Sequence, residues 1–374
     1  FQAEDGIRDC LLSRGLGDVY KRQTLSLMYS LAHRILKKLD PELSHNLSIK
    51  ALKLGIYPKI TYKNTEILEQ TIWGRTFKTP IGLSAGFDKN AEVINPILNL
   101  GFSFTELGTV TPLPQKGNTK PRIHRFPAQK ALINSLGFNN KGMDVFERNI
   151  NNSNLKENFQ DKIIGINIGN NKDTIEILDD LKKLFDRLYR LGDYIVVNLS
   201  SPNTPGLRDN LKSQNFEKIV TTIHKFRDQN NSKIPILFKI SPDISDQDKK
   251  DISLISLAND VDGLILTNTT INKSMVNEKL EGGVSGRPLF LKSNELIRDF
   301  YTLTSGKIKI IGVGGIFDAN DILTKMKLGA SLIQIYSSFT YEGPYHVKKM
   351  TLDLINLIQQ QGFRSISEVI GQYS

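Results

Sequence analysis

Eight short apolar runs, alternating with longer amphipathic stretches, restrict the fold of this chain more than any other feature. The runs are Ile81 to Ala85, Ser103 to Leu107, Ile163 to Ile168, Tyr194 to Leu199, Ile236 to Ile240, Gly263 to Leu266, Ile308 to Val313 and Ser331 to Ile335. Between them lie segments with helical periodicity, such as Thr174 to Leu191 and Phe216 to Gln229. Strand-length runs separated by helical patterns indicate a parallel sheet with crossover helices. Eight units with no linker or low-complexity break predict closure into an α/β (β/α)8 TIM barrel, since an open doubly wound sheet usually has fewer strands. The 374 residues hold such a barrel plus extensions, and no second catalytic domain is expected.

Nearly every run ends in a polar or glycine cluster: SAGFDK, ELGTVTP, INIGNN, NLSSPNTPGL, KISPD, LTNTT, GVGGI and IYSS. A single such cluster is a turn. The carboxyl ends of barrel strands open onto one face, where this fold keeps its active sites, so clusters at all of them predict a site. GVGGI (Gly312 to Ile316) leads into a helix, and Tyr336, Ser337 and Ser338 end the eighth strand. Glycines let backbone N–H groups approach a phosphate, and the loops after strands seven and eight are the usual phosphate site, so a phosphorylated ligand is expected. The run is no dinucleotide fingerprint, because GVGGIF lacks the third glycine and follows the seventh strand instead of the first.

Lys239, flanked by Phe238 and Ile240, must place its charge somewhere polar. It either snorkels to the barrel rim or stands near the pyrimidine edge of a flavin, favouring the anionic reduced ring. Lys89, after Gly86, Phe87 and Asp88, either opens a surface helix or pairs a substrate carboxylate. Asn134, Asn139, Asn167, Asn198, Asn203 and Asn268 fall on the same face. Each can be a turn residue; together they offer donors and acceptors to a ring bearing alternating C=O and N–H groups. The histidines, at positions 33, 45, 124, 224 and 346, lie outside the clusters without paired ligand spacing, which argues against a histidine metal site or triad. Ser200 and Ser201 are the candidates for proton transfer.

The first 23 residues, Phe1 to Gln23, have no apolar period and no signal-peptide layout, and they resemble a translated sequencing adapter. They are set apart as a non-native leader, with Cys10, and Met28 is the expected start. Residues 24–55 read as a helical hairpin ahead of a barrel at 56–374: Leu27, Leu31, Ile35 and Leu39 at four-residue steps, an Asp40-Pro41 cap, then Leu43, Leu47, Ala51, Leu52 and Leu54 before Gly55. The hairpin is either a lid packed on the body or, with Arg34, Lys37, Lys38, Lys50 and Lys53, a surface that rests on an anionic bilayer. A formal charge of +10 favours anionic partners. No apolar run is long enough to cross a membrane, and no interleaved basic and aromatic stripe supports nucleic-acid binding.

From Met28 onward the clusters, in their order, resemble the dihydroorotate dehydrogenases. SAGFDKN, NSLGFNNKG, NIGNNKDT, NLSSPNTPGLR, TNTT, IIGVGGI and GASLIQIYSSF carry the resemblance. A serine, Ser201, stands where the soluble class has a catalytic cysteine, and the helical extension is present, so the sequence is similar to the quinone-dependent class 2. The resemblance implies FMN contacts at Ala85, Gly86, Thr109, Asn167, Asn198, Lys239, Thr267, Gly286, Gly315, Tyr336 and Ser337. It implies that Lys89, Asn134, Gly137, Phe138, Asn198, Asn203, Asn268 and Thr269 hold dihydroorotate or orotate. It further implies that Ser201 takes the C5 proton while hydride leaves C6 for the flavin, and that the electrons pass to a membrane quinone entering between the two N-terminal helices. The expected place is de novo pyrimidine biosynthesis, as a peripheral protein on the cytoplasmic side of the inner membrane in a bacterium. The family's first strand motif reads AAG followed by leucine; Ser84 and Phe87 depart from it, with an effect on packing alone expected. The alternatives are the soluble class, reducing fumarate or NAD, and a basic non-catalytic barrel.

Overall fold

The computed structural model describes residues 28–153, 162–204 and 206–373, so the leader Phe1 to Gln23 lies outside the described residues. Eight parallel strands close a barrel: β1 (Ile81–Leu83), β2 (Phe104–Val110), β3 (Ile163–Ile168), β4 (Tyr194–Asn198), β5 (Ile236–Ile240), β6 (Gly263–Leu266), β7 (Lys309–Val313) and β8 (Leu332–Ile335). They pair in chain order, and β8 returns to β1 with Ile333 opposite Ile81. The TIM-barrel expectation therefore holds. β2 runs on to Val110, beyond the Leu107 expected from its apolar run, because the pairing with β3 shifts register between Gly108 and Val110 and lets the strand continue through polar residues.

Alternate positions of successive strands share a face, and this period builds the interior in layers. Phe104, Ile163, Tyr194, Val196, Leu237, Ile265, Ile311 and Leu332 form one buried apolar cluster inside the barrel. Two residues further along their strands, Glu106, Lys239 and Gln334 form a polar layer above it. Glycines make room for the lower rings: a Cβ on Gly82 would stand 2.4 Å from the Phe104 ring, and one on Gly165 2.2 Å from that of Tyr194. The outward residues, among them Ile164, Ile166, Ile195, Val197 and Phe238, pack under the surrounding helices in a larger core.

Sequence reasoning treats Thr71 to Lys78 as part of a connecting stretch, but an antiparallel hairpin (Gln70–Ile72 and Arg75–Phe77) forms there and plugs the amino-terminal end. Trp73 reaches the Tyr194 ring, 5.8 Å between centroids, and donates from Nε1 to the Asp262 carbonyl at 2.9 Å. Phe77 meets Phe104 edge-on. With that end closed, access to the polar layer is from the carboxyl side. A three-stranded antiparallel sheet (Ile123–Phe126, Ala131–Asn134 and Gly283–Gly286) joins the β2–β3 and β6–β7 connections there.

Two helices precede the barrel, α1 over 28–36 and α2 over Pro41–Lys53. The Asp40 carboxylate accepts from the Leu43 N–H at 2.9 Å with Pro41 in the first turn, while Lys50 and Lys53 sit favourably at the negative end of the helix dipole. Glu42 binds Arg122 through two hydrogen bonds, at 2.7 and 3.2 Å, and Arg125 donates to the carbonyls of Lys37 and Leu39 at the end of α1. These contacts leave much of the apolar face outward: Leu31 is 59% exposed, Ile35 55%, Leu43 48% and Leu47 37%.

Candidate active site

The polar layer of the barrel interior is the floor of a cavity at the carboxyl mouth. Glu106, 1% exposed, accepts from Asn167 Nδ2 at 2.6 Å and from Gln334 Nε2 at 2.5 Å. Lys239 Nζ stands 3.5 Å from the same carboxylate and donates to Ser84 Oγ at 3.4 Å. Because Asn167 spends its N–H group on Glu106, its Oδ1 accepts from Thr109 Oγ1 at 2.6 Å, and Thr109 in turn accepts from Asn198 Nδ2 at 3.0 Å. The amides thus have fixed orientations, presented by neighbouring strands β2, β3 and β4.

Above the floor, the loops after β4 and β6 meet. Ser201, nearly buried, accepts from the Asn203 N–H at 3.2 Å, and Asn203 Nδ2 donates to Asn134 Oδ1 at 3.2 Å. Arg208 ties the loops together by donating to the Ser200 carbonyl at 3.1 Å, the Thr269 carbonyl at 2.8 Å and the Asp243 carboxylate at 2.8 Å. Asn268 Nδ2 donates to Ser200 Oγ at 3.0 Å, which turns that hydroxyl into the wall, whereas Ser201 lines the cavity.

Lys89 extends from the loop after β1 and donates to Asn139 Oδ1 at 2.9 Å. Burial, and after it the Arg122 charge, lower its pKa to about 8. Its neighbour Asp88 is structural: burial raises its pKa to about 6, and the carboxylate accepts from the N–H groups of Glu92 and Val93, both at 2.8 Å, holding the loop. Lys89 and Lys239 are the charged side chains lining the cavity among the described residues, so its field favours anions.

The opposite wall is the glycine loop after β7. Gly314 and Gly315 have φ of +118° and +72°, and a Cβ on Gly315 would stand 2.5 Å from Phe290 Cβ, so the backbone can approach only without side chains. Arg287 fixes the loop by donating to the Gly315 carbonyl at 3.0 Å and to Asp321 at 2.6 Å. Beside it, Ser337 shares a hydrogen bond with Ser285 at 2.9 Å. Two buried lining atoms, Gln334 Oε1 and Ser338 Oγ, have no hydrogen-bond partner among the described residues. Buried polar atoms of this kind normally carry a partner, so a ligand with polar groups of its own fits here.

A second cavity lies under the hairpin between α1, α2 and the barrel wall. Its lining is mainly apolar, including Ala32, Leu36, Leu52, Ile123, Leu132 and Phe339, with His33, Lys37, His45 and Arg125 as the basic exceptions. His33 Nε2 lies 2.9 Å from the Thr340 carbonyl. His45 packs edge-on against Phe87, and burial, then the Lys89 charge, hold it down at about 4, so it is neutral near pH 7. Arg125 Nε is buried without a partner among the described residues. Tyr336 lines both cavities, and burial pushes its phenol up to about 12.

The family model described as dihydroorotate dehydrogenase matches residues 67–358. A relative from Rhodospirillum rubrum named dihydroorotate dehydrogenase (quinone) is 41% identical, over 92% of this chain and 94% of its own. The mitochondrial dihydroorotate dehydrogenase (quinone) of Mus musculus is 38% identical, over 89% of this chain and 87% of its own. Among solved structures, DHODH from Eimeria tenella in complex with ferulenol superposes with a TM-score of 0.86 at 36% identity, covering 89% of this chain and 95% of that one. The chain belongs to the dihydroorotate dehydrogenase family.

In this dihydroorotate dehydrogenase, the residues singled out from sequence converge. Ser201 and ten of the eleven positions matched to FMN contacts line the mouth cavity; the eleventh, Asn167, lies beneath it and orients Thr109. All eight positions matched to substrate line it too, including Gly137 and Phe138. Ser84 does more than pack, since it receives Lys239, and Phe87 lines the second cavity. Sequence reasoning does not single out Glu106, Gln334, His45 or Arg125. Glu106 and Gln334 are polar residues inside strand runs, a signal that the alternating pattern contains; His45 and Arg125 lie 80 positions apart and show no shared pattern.

Proposed function

We propose that this enzyme oxidises dihydroorotate to orotate with FMN bound in the mouth cavity, and passes the electrons to a membrane quinone that enters through the hairpin cavity. The carrying observation is the convergence on one cavity of Ser201, Lys89 and an amide wall, across from a glycine loop and above Lys239. The cavity suits FMN in its donor set: a glycine cradle at Gly314 and Gly315 with Ser337 for the phosphate, and Lys239 and Thr109 for the ring. Ala85, Gly86, Asn198, Thr267, Gly286 and Tyr336 complete its contacts. When bound, FMN supplies an acceptor for the hydride from substrate C6 and a carrier of the electron pair to quinone.

The protein's own residues do the rest. Lys89 pairs the substrate carboxylate, and Asn134, Asn203, Asn268 and Thr269 match the alternating donors and acceptors of the pyrimidine ring. Phe138 and Leu136 cover the apolar edge and exclude water. Ser201 Oγ takes the C5 proton as its own hydroxyl proton passes to water in the open mouth, so the residue ends as a neutral hydroxyl; the Asn203 N–H bonded to this oxygen orients it and stabilises the alkoxide character it gains as that proton leaves. In the hairpin cavity, the Arg125 guanidinium is the donor for a quinone oxygen, and the aliphatic walls accept its hydrocarbon. The outward leucines with Arg34, Lys38 and Lys50 set residues 24–55, of which 28–55 are described, on an anionic bilayer as a peripheral contact ahead of the barrel at 56–374. In a bacterium that surface is the cytoplasmic side of the inner membrane.

Purified protein should be yellow and release FMN on denaturation. Anaerobic dihydroorotate should bleach it, and a quinone should restore the colour. A colourless protein, or one that dihydroorotate leaves oxidised, rejects the assignment.

A further inference from the structure

Glu106 is a buried carboxylate for which the proposed chemistry has no use. It sits on β2 inside the barrel, and its side chain is completely enclosed. Its three partners come from three other strands: Asn167 on β3, Lys239 on β5 and Gln334 on β8. A carboxylate in such a place is costly unless it is paired and hydrogen-bonded. Here it is both, at an even level just under the cavity floor.

The pairing has two consequences for the floor of the cavity. The two amides give their N–H groups to the carboxylate, so their oxygens are left as acceptors: Asn167 Oδ1 to Thr109, and Gln334 Oε1 enclosed beside the Tyr194 phenol. The Lys239 cation is neutralised from below, at 3.5 Å, so Lys239 and Glu106 together carry no net charge. Below the pair, burial and then the Glu106 charge keep the Tyr194 phenol well above the ordinary tyrosine range, so it stays neutral and does not alter that balance.

We propose that Glu106 is a positioning residue that sets the redox potential of the cofactor: it offsets the Lys239 charge and fixes the acceptor polarity of Gln334, thereby holding the bound cofactor less oxidising than Lys239 alone would make it. This rests on the FMN reading above. Adding an electron pair to a ring beside a bare cation is favoured; beside a neutral ion pair it is favoured less. The carboxylate therefore leaves the reduced cofactor readier to give its electrons onward.

The test is the midpoint potential of the bound flavin in full-length protein, measured by equilibration with a reference dye. Glu106→Gln keeps the size and the hydrogen-bonding capacity but removes the charge. Its flavin should be more easily reduced by at least tenfold in the reduced-to-oxidised ratio, about 30 mV for a two-electron couple. A purely structural role would lower thermal stability or FMN affinity and leave the potential of the remaining bound flavin where it was. An unchanged or lower potential overturns the inference.

Removing one member of a buried pair can prevent folding, whereas removing both is better tolerated. Lys239→Met and the double variant Lys239→Met/Glu106→Gln therefore provide a second comparison. The double variant should have the higher potential of the two; equal potentials overturn the proposal. A native protein without flavin would instead reject the FMN reading itself, an outcome distinct from a yellow protein whose potential ignores Glu106.

Discussion

The mouth cavity and the hairpin cavity share the Tyr336 side chain but are made from different materials. At the mouth, nearly every polar group is held by another: Asn203 by Asn134, Ser200 by Asn268, Arg208 by two loops and a carboxylate. Under the hairpin, aliphatic side chains from two helices face the barrel, and the few basic groups are neutral, as with His45, or turned to backbone carbonyls, as with Lys37 and Arg125. The contrast teaches what each region is able to select. A lattice of fixed donors and acceptors discriminates among polar rings, because a mismatched group there loses its hydrogen bonds; an apolar channel selects for hydrocarbon and little else.

The strongest way to break this division of labour is at Ser201. Ser201→Ala should slow reduction of the flavin by dihydroorotate by about 10²–10⁴-fold, the usual scale of a general base, and leave reoxidation by quinone unchanged. Stopped-flow traces of the flavin band separate the two half-reactions. Equal slowing of both would mean that the cavities do not divide the chemistry.

Lys89→Ala tests the same side with a smaller change. Loss of a charge-assisted contact of ~1.5–3 kcal/mol should lower kcat/KM for dihydroorotate by roughly 10–100-fold while FMN stays bound. Unaltered steady-state kinetics with a full flavin complement would remove Lys89 from substrate binding.

On the other side, Leu31→Glu with Leu47→Glu places two charges on outward positions that make no use of the barrel core. Sedimentation with anionic vesicles should weaken by about 30-fold, corresponding to about 2 kcal/mol of lost apolar burial, with dihydroorotate-to-dye turnover preserved. Vesicle binding that does not respond would make the hairpin a lid after all.

The smallest effect is on pH. Lys89 is charged below its pKa of about 8 and loses the proton as pH rises through it, so the carboxylate contact weakens on the alkaline side. For the free enzyme, kcat/KM for dihydroorotate should be down about twofold at that pH and fall further above it. His45, neutral near pH 7, adds no inflection to quinone reoxidation around neutrality. A flat alkaline limb would show that Lys89 is not the group that titrates.

The same division explains what the sequence discloses. Barrel strands announce themselves because each is an apolar run ending at a functional loop, and the mouth residues follow since strand ends converge by topology. The plug is harder to see: Trp73 has a role only through Tyr194 and Asp262, far along the chain. Glu106 sits in the ELGTV run as one polar letter whose partners, Lys239 and Gln334, are brought beside it only by closure of the barrel. The hairpin cavity is least legible. Its apolar helix residues fit a lid and a docking surface equally, because helical periodicity fixes which residues share a face and not what covers that face.

Tyr336 stands as a party wall, the one residue that lines both compartments among the described residues. On the proposed function, the water-soluble customer and the oily one never queue at the same door. Orotate can remain seated while the acceptor comes and goes, and a blocker shaped for one compartment has no claim on the other. Paired inhibitors, one polar and one greasy, should then add their effects without displacing each other, and a lineage could remodel its hairpin to suit a different lipid carrier without touching how it reads a pyrimidine.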